Sequence, residues 1–175
     1  MYAADGLINV QIPFDAAVNT TQQLVVQRAN AVSVPTPLAV FTSSPTVLST
    51  SGAGSGQGHV YVIGAEGVET LANQNAPATA GNPVVIYCVG LGAVSPSIAA
   101  GAITPPAYFN TVAPVTVTFG NQTVAAGFAG LTPGLAGLYQ VNVNVPPGVT
   151  PGNQVQVTIS VGGKSSSGSI YMAVQ

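Results

Sequence analysis

Leu138-Tyr139-Gln140-Val141-Asn142-Val143-Asn144-Val145 decides the fold class. Its odd positions are apolar and three of its four even positions are polar. A strand with that period buries one face and wets the other. Gln154 to Val161 repeats the pattern, with Val155, Val157, Ile159 and Val161 inward. Pro146-Pro147-Gly148-Val149-Thr150-Pro151-Gly152-Asn153 joins the two as a turn-rich connection, and Gly162-Gly163-Lys164 closes a hairpin onto residues 165–174. Upstream, Val115–Phe119 and Val124–Phe128 flank Gly120-Asn121-Gln122, a second hairpin signal. Val84 to Val89 is a continuous apolar run, suited to the centre of a sheet covered on both sides. Helical periodicity is absent, and residues 130–137 have room for one helical turn at most. Short strands with turn signals about every eight to twelve residues predict an all-β, immunoglobulin-like β-sandwich.

The same stretch occurs twice. Ile8-Asn9-Val10-Gln11-Ile12-Pro13 lies over Val141-Asn142-Val143-Asn144-Val145-Pro146 at an offset of 133. That offset also sets Leu24 and Val26 over Val157 and Ile159, Ser33 over Ser166, and Leu38 and Val40 over Tyr171 and Ala173. Residues 1–42 therefore read as a gapless second copy of 134–175. The later copy has a strand-rich stretch before it; the earlier one has none. The expected organisation is a partial, C-terminal half-domain at 1–43 and a complete sandwich at 44–175. The half-domain leaves Ile8, Val10, Ile12, Leu24 and Val26 as an assembly edge that something must cover.

Composition narrows the function classes. Only 3% of residues are charged, against about a quarter in ordinary soluble domains. The charged side chains are Asp5, Asp15, Glu66, Glu69, Arg28 and Lys164, with His59 the sole imidazole. No basic face is available for nucleic acid, and no cationic cluster for an anionic membrane. No apolar run reaches the eighteen or so residues of a membrane-spanning helix. Low charge favours association over mutual repulsion. The first residues lack the basic head and apolar stretch of a secretory signal, so the expectation is a segment of a longer secreted precursor, located outside the cell or on its surface. The single Cys88 sits in a β-branched run and reads as a buried, inert thiol.

Catalysis is not expected. His59 with Glu66 or Glu69 and one of the many serines satisfies a triad by counting, but no Gly-x-Ser-x-Gly elbow accompanies it. One His and one Cys fall short of a zinc ligand set, and Glu66, Glu69, Asn73 and Asn75 read as an exposed turn rather than a calcium site. Gly52-x-Gly54-x-Gly56-x-Gly58 does not link a strand to a helix, so it is a linker and no cofactor is expected. Tyr61, Tyr87, Tyr139 and Tyr171 occupy apolar strand positions and are expected in the core. Tyr108 and Phe109, beside a Pro-rich loop, form the one exposed-looking aromatic pair and the candidate contact for a partner such as a surface glycan.

Gly120-Asn121-Gln122-Thr123-Val124, followed by Phe128-Ala129-Gly130-Leu131-Thr132-Pro133-Gly134-Leu135-Ala136-Gly137-Leu138-Tyr139-Gln140-Val141-Asn142-Val143, resembles the Solibacter-type C-terminal domain of large secreted acidobacterial proteins. Ile8 to Phe14, Gly54 to Gly58 and Val85 to Gly92 resemble it too, and Ala129 to Pro146 is the specific part. Asn121 departs from a common Gly, and Cys88 from the usual Thr or Ser. The resemblance implies an Ig-like module of the IPT/TIG kind at the end of exported multidomain chains, with no established activity. The functional expectation is a non-enzymatic extracellular subunit of a fibre or surface assembly, joined to its own kind by β-strand complementation. The alternative is a terminal adhesion or glycan-binding module.

Overall fold

The computed structural model describes residues 2–4 and 6–175; Met1 and Asp5 lie outside them. The chain is all-β, with a single 3-10 turn at Ala65–Gly67 among the described residues. Its first part forms three separate antiparallel ribbons. β1 (Tyr2–Ala4) pairs with β2 (Leu7–Asn9), β3 (Thr20–Leu24) with β6 (Thr36–Val40), and β4 (Gln27–Arg28) with β5 (Ala31–Val32). Before Ser43, none of residues 3, 4 and 6–42 is buried.

From Ser43 onward the chain builds two sheets around one core. The larger contains β7 (Thr46–Val47), β9 (Val60–Ile63), β10 (Glu69–Leu71), β11 (Pro83–Val89), β12 (Val94–Ser95), β13 (Asn110–Thr111), β16 (Phe128–Leu131) and β17 (Tyr139–Asn144). The smaller contains β8 (Gly56–Gln57), β14 (Val115–Phe119), β15 (Gln122–Ala125), β18 (Gly152–Val161), β19 (Lys164–Ser165) and β20 (Ile170–Val174). Strand order is β10-β9-β11-β17-β16-β13-β12 in one and β15-β14-β18-β20-β8 in the other. Every pair among these strands is antiparallel except β8 beside β20. Val84, Ile86, Cys88, Val141 and Val143 from the larger sheet share a core with Val117, Phe119, Val157 and Ile159 from the smaller. Inward residues alternate along both faces, which is the arrangement of a sandwich.

Local sequence places the corners. Gly162 and Gly163 both have positive φ, at 57° and 76°, as a two-residue hairpin of matching twist requires. Gly90, at φ 78°, lets the chain pass against the segment entering the sandwich: Ser44 N donates to Gly90 O at 2.8 Å, and a Cβ there would strike the Ser44 carbonyl. The expected single strand from Val124 to Phe128 is instead two strands. Ala126 N still donates to Val115 O, whereas Gly127 N donates to Asn142 O in the opposite sheet. The chain changes sheets between those two residues.

Candidate functional site

The two copies of the repeat can be compared bond by bond. In the earlier copy Gln27 faces Val32 and Arg28 faces Ala31; in the later, Ser160 faces Ser165 and Val161 faces Lys164. All four positions differ by 133. Ser33 N donates to Val26 O at 2.9 Å, and Val26 N donates back to Ser33 Oγ at 2.9 Å. Ser166 and Ile159 make the same two bonds, at 2.7 and 3.1 Å. A serine at this point satisfies the backbone where the hairpin ends.

Beyond that serine the gapless alignment fails. Leu24 pairs with Thr36 and Gln22 with Leu38, while Val155 pairs with Met172. Gln22 is 133 residues before Val155, but Leu38 is 134 before Met172. Leu38 and Val40 therefore stand over Met172 and Val174, not over Tyr171 and Ala173. The earlier loop is one residue shorter, and pairing keeps apolar side chains on the inward face, since a one-residue slip would turn them all outward.

What differs between the copies is cover. Ile8, Val10, Ile12, Leu24 and Val26 are 40–49% exposed, and their counterparts Val141, Val143, Val145, Val157 and Ile159 are 0–5% exposed. In the later copy β11 and β16 flank β17, and β14 and β20 flank β18. In the earlier copy β2 has only β1, which has no strand counterpart, and β3 has only β6. Full burial of such a side chain stabilises by about 1.5–3 kcal/mol, so covering the exposed half returns about 1 kcal/mol apiece. Five of them give roughly 5 kcal/mol, the low end of the ~4–15 kcal/mol that free association costs. Burial of these five side chains alone would therefore not hold a second molecule on this face.

Residues 6–42 are not adrift. Gly101 N donates to Gln11 Oε1 at 2.8 Å, Phe14 packs at the margin of the core, and Lys164 Nζ lies 5.1 Å from the centre of the Phe41 ring. Ser43 Oγ donates to Val161 O at 3.2 Å.

The aromatic residues are placed differently from expectation. Phe109 is 8% exposed and belongs to the core, whereas Tyr108 is 79% exposed and leans edge-on against Phe128 at 5.7 Å. The expected exposed pair is thus split, because consecutive residues of an extended chain point to opposite sides. Of Tyr61, Tyr87, Tyr139 and Tyr171, only Tyr139 is buried; its hydroxyl donates to the Gly92 carbonyl. Tyr61 and Tyr87 lie on the outer face of the larger sheet, 5.8 Å apart and edge to face. His59 Nδ1 hydrogen-bonds Tyr61 Oη at 2.8 Å, and Tyr87 Oη donates to Glu69 Oε1 at 2.9 Å. Sequence reasoning missed this cluster, although the alternation of Val60-Tyr61-Val62-Ile63 signals that Tyr61 and Val60 face opposite ways.

Among the described residues no three His, Cys, Asp or Glu side chains converge as metal ligands, and no helix is long and apolar enough to cross a membrane. Comparison of the chain with protein families, with curated proteins and with solved structures gives no match.

Proposed function

We propose that the chain is a non-enzymatic extracellular structural module. It combines one immunoglobulin-like sandwich, residues 44–175, with half of another at 1–43, whose apolar face joins neighbouring chains into a fibre or surface assembly by β-strand complementation. Strand order supports the immunoglobulin-like part. With β7 and β8 as A and A′, β11 as B, β14 and β15 as C and C′, β16 as D, β17 as E, β18 as F and β20 as G, the sheets run A-B-E-D and C′-C-F-G. The β9–β10 hairpin is an addition beside B. In this scheme β2 is E, β3 with β4 is F, and β6 is G.

The observation that carries the assembly role is the 40–49% exposure of five side chains whose counterparts are closed off at 0–5%. Extracellular location rests on the near absence of charge and on the resemblance to secreted acidobacterial domains. The test is sedimentation velocity on the full chain beside the double variant Leu24→Asp, Val26→Asp. Concentration-dependent association of the parent and a monomeric variant are expected. A parent that stays monomeric at high concentration overturns the reading.

A second reading, adhesion through glycan binding, is favoured by the half-buried Tyr61–Tyr87 pair on the outer face of the larger sheet. It is also favoured by an open cleft of about 310 Å³ lined by Gln57, Asn73, Gln74, Asn75, Asn153 and Gln154. Amides and tyrosines together offer the donors, acceptors and apolar faces that sugars engage.

A further inference from the structure

We infer that the partner of the half-domain is an unpaired first half of a like sandwich, a segment with the pattern of residues 44–133, seated in the register that this segment adopts on residues 134–175. The inference rests on reading residues 6–42 as an assembly surface, and it names what that surface takes.

The later copy of the repeat supplies the template. Ile86 faces Val141 and Val84 faces Val143, so a B-like strand would lie antiparallel along the earlier copy with its Ile86 position opposite Ile8 and its Val84 position opposite Val10. Val117 faces Ile159 and Phe119 faces Val157, so a C-like strand would set those positions opposite Val26 and Leu24. Ala129 faces Val141 on the other edge of β17, so a D-like strand would reach Ile8 from the far side. Ile170 faces Gly56, so an A′-like strand would run parallel to β6 at Thr36. β1 occupies an edge of β2 that the later copy gives to one of these strands, and it gives way when the partner arrives.

Residues 1–175 hold two E-F-G halves and one A-to-D half, and that A-to-D half is already closed by 134–175. Strand exchange among copies of these residues links neighbours but leaves one E-F-G half per copy uncovered. Identical chains satisfy the surplus by pairing face to face, or leave it for an A-to-D half from outside. Only the latter offers strands for the edges of β2, β3 and β6 in the hydrogen-bonding pattern seen in the closed copy.

A chain in which residues 44–133 are duplicated ahead of Met1 tests this directly, since position 133 then runs into residue 1 as it runs into Gly134 in the parent. The duplicated chain is expected to be monomeric where the parent associates. Its Leu24 and Val26 amides are expected to exchange at least about 100-fold more slowly than in the parent, because a closed sheet exchanges through global opening. Adding Leu24→Asp and Val26→Asp to the duplicated chain should restore fast exchange at those hairpin amides while residues 134–175 stay protected. If the parent associates and the duplicated chain associates equally, the face takes a second copy of itself and the inference is overturned while the assembly reading stands. If exchange at Leu24 and Val26 is unchanged by duplication, the register is wrong and the inference likewise falls.

Discussion

Cys88 shows how one residue couples burial to stability. It lies in β11, fully enclosed, and burial pushes its thiol from about 9 up to about 12. Tyr87 moves the same way, up to about 12, first from desolvation and then from the Glu69 carboxylate it bonds. Tyr139 is also raised, chiefly by burial. For each group the folded value exceeds the unfolded one, so its contribution is intact below the unfolded value and is lost as pH rises toward the folded value. Urea melts should therefore show flat stability up to about pH 8. Above about pH 9 the decline should reach about 1.4 kcal/mol per pH unit from Cys88 alone once the unfolded thiol is ionised. Cys88→Ala should lower the whole curve by the cavity it leaves, yet flatten the decline between pH 9 and 10. A curve equally steep in the variant would assign the alkaline loss to the tyrosines.

At the scale of elements, the repeat is an internal control. Val26 and Ile159 hold the same place on the same hairpin, anchored by the same serine bonds. Only their surroundings differ, open in one case and the Val117 side of the core in the other. Ile159→Ala is expected to cost about 2–4 kcal/mol in the main unfolding transition, and Val26→Ala under about 0.5 kcal/mol. Equal costs would mean that residues 6–42 already have cover. Much of this was legible beforehand: the alternation from Leu138 to Val145, the hairpin at Gly162-Gly163, and the match of Ile8 to Val141. The one-residue gap after Ser33 was not, because side-chain type there (Leu38 over Tyr171 or over Met172) fits either alignment and only cross-strand pairing chooses. The two faces of β11 were equally opaque. In an unbroken apolar run, alternation cannot say that Val84, Ile86 and Cys88 turn inward while Tyr87 turns out.

For the molecule as a whole, six formal charges leave little for electrostatics to do. Association through the apolar face of residues 6–42 should change little between about 0.05 and 0.5 M sodium chloride, because Asp15 and Arg28 are the only formal charges in that segment, and sulfate should strengthen it through exclusion from apolar surface. Light scattering across both salts checks this; dissociation by sodium chloride would point to a charged interface instead.

Sequence alone determined the all-β class, the repeat and the five apolar repeat positions that stand half exposed, since all three follow from period and self-similarity. Tertiary structure decided which tyrosines are core, that Phe109 and Tyr108 part company, where the chain changes sheets, and that residues 6–42 hold no buried side chain. Those depend on which of two faces meets another layer, and a strand's own sequence carries the alternation but not the neighbour that gives it a direction.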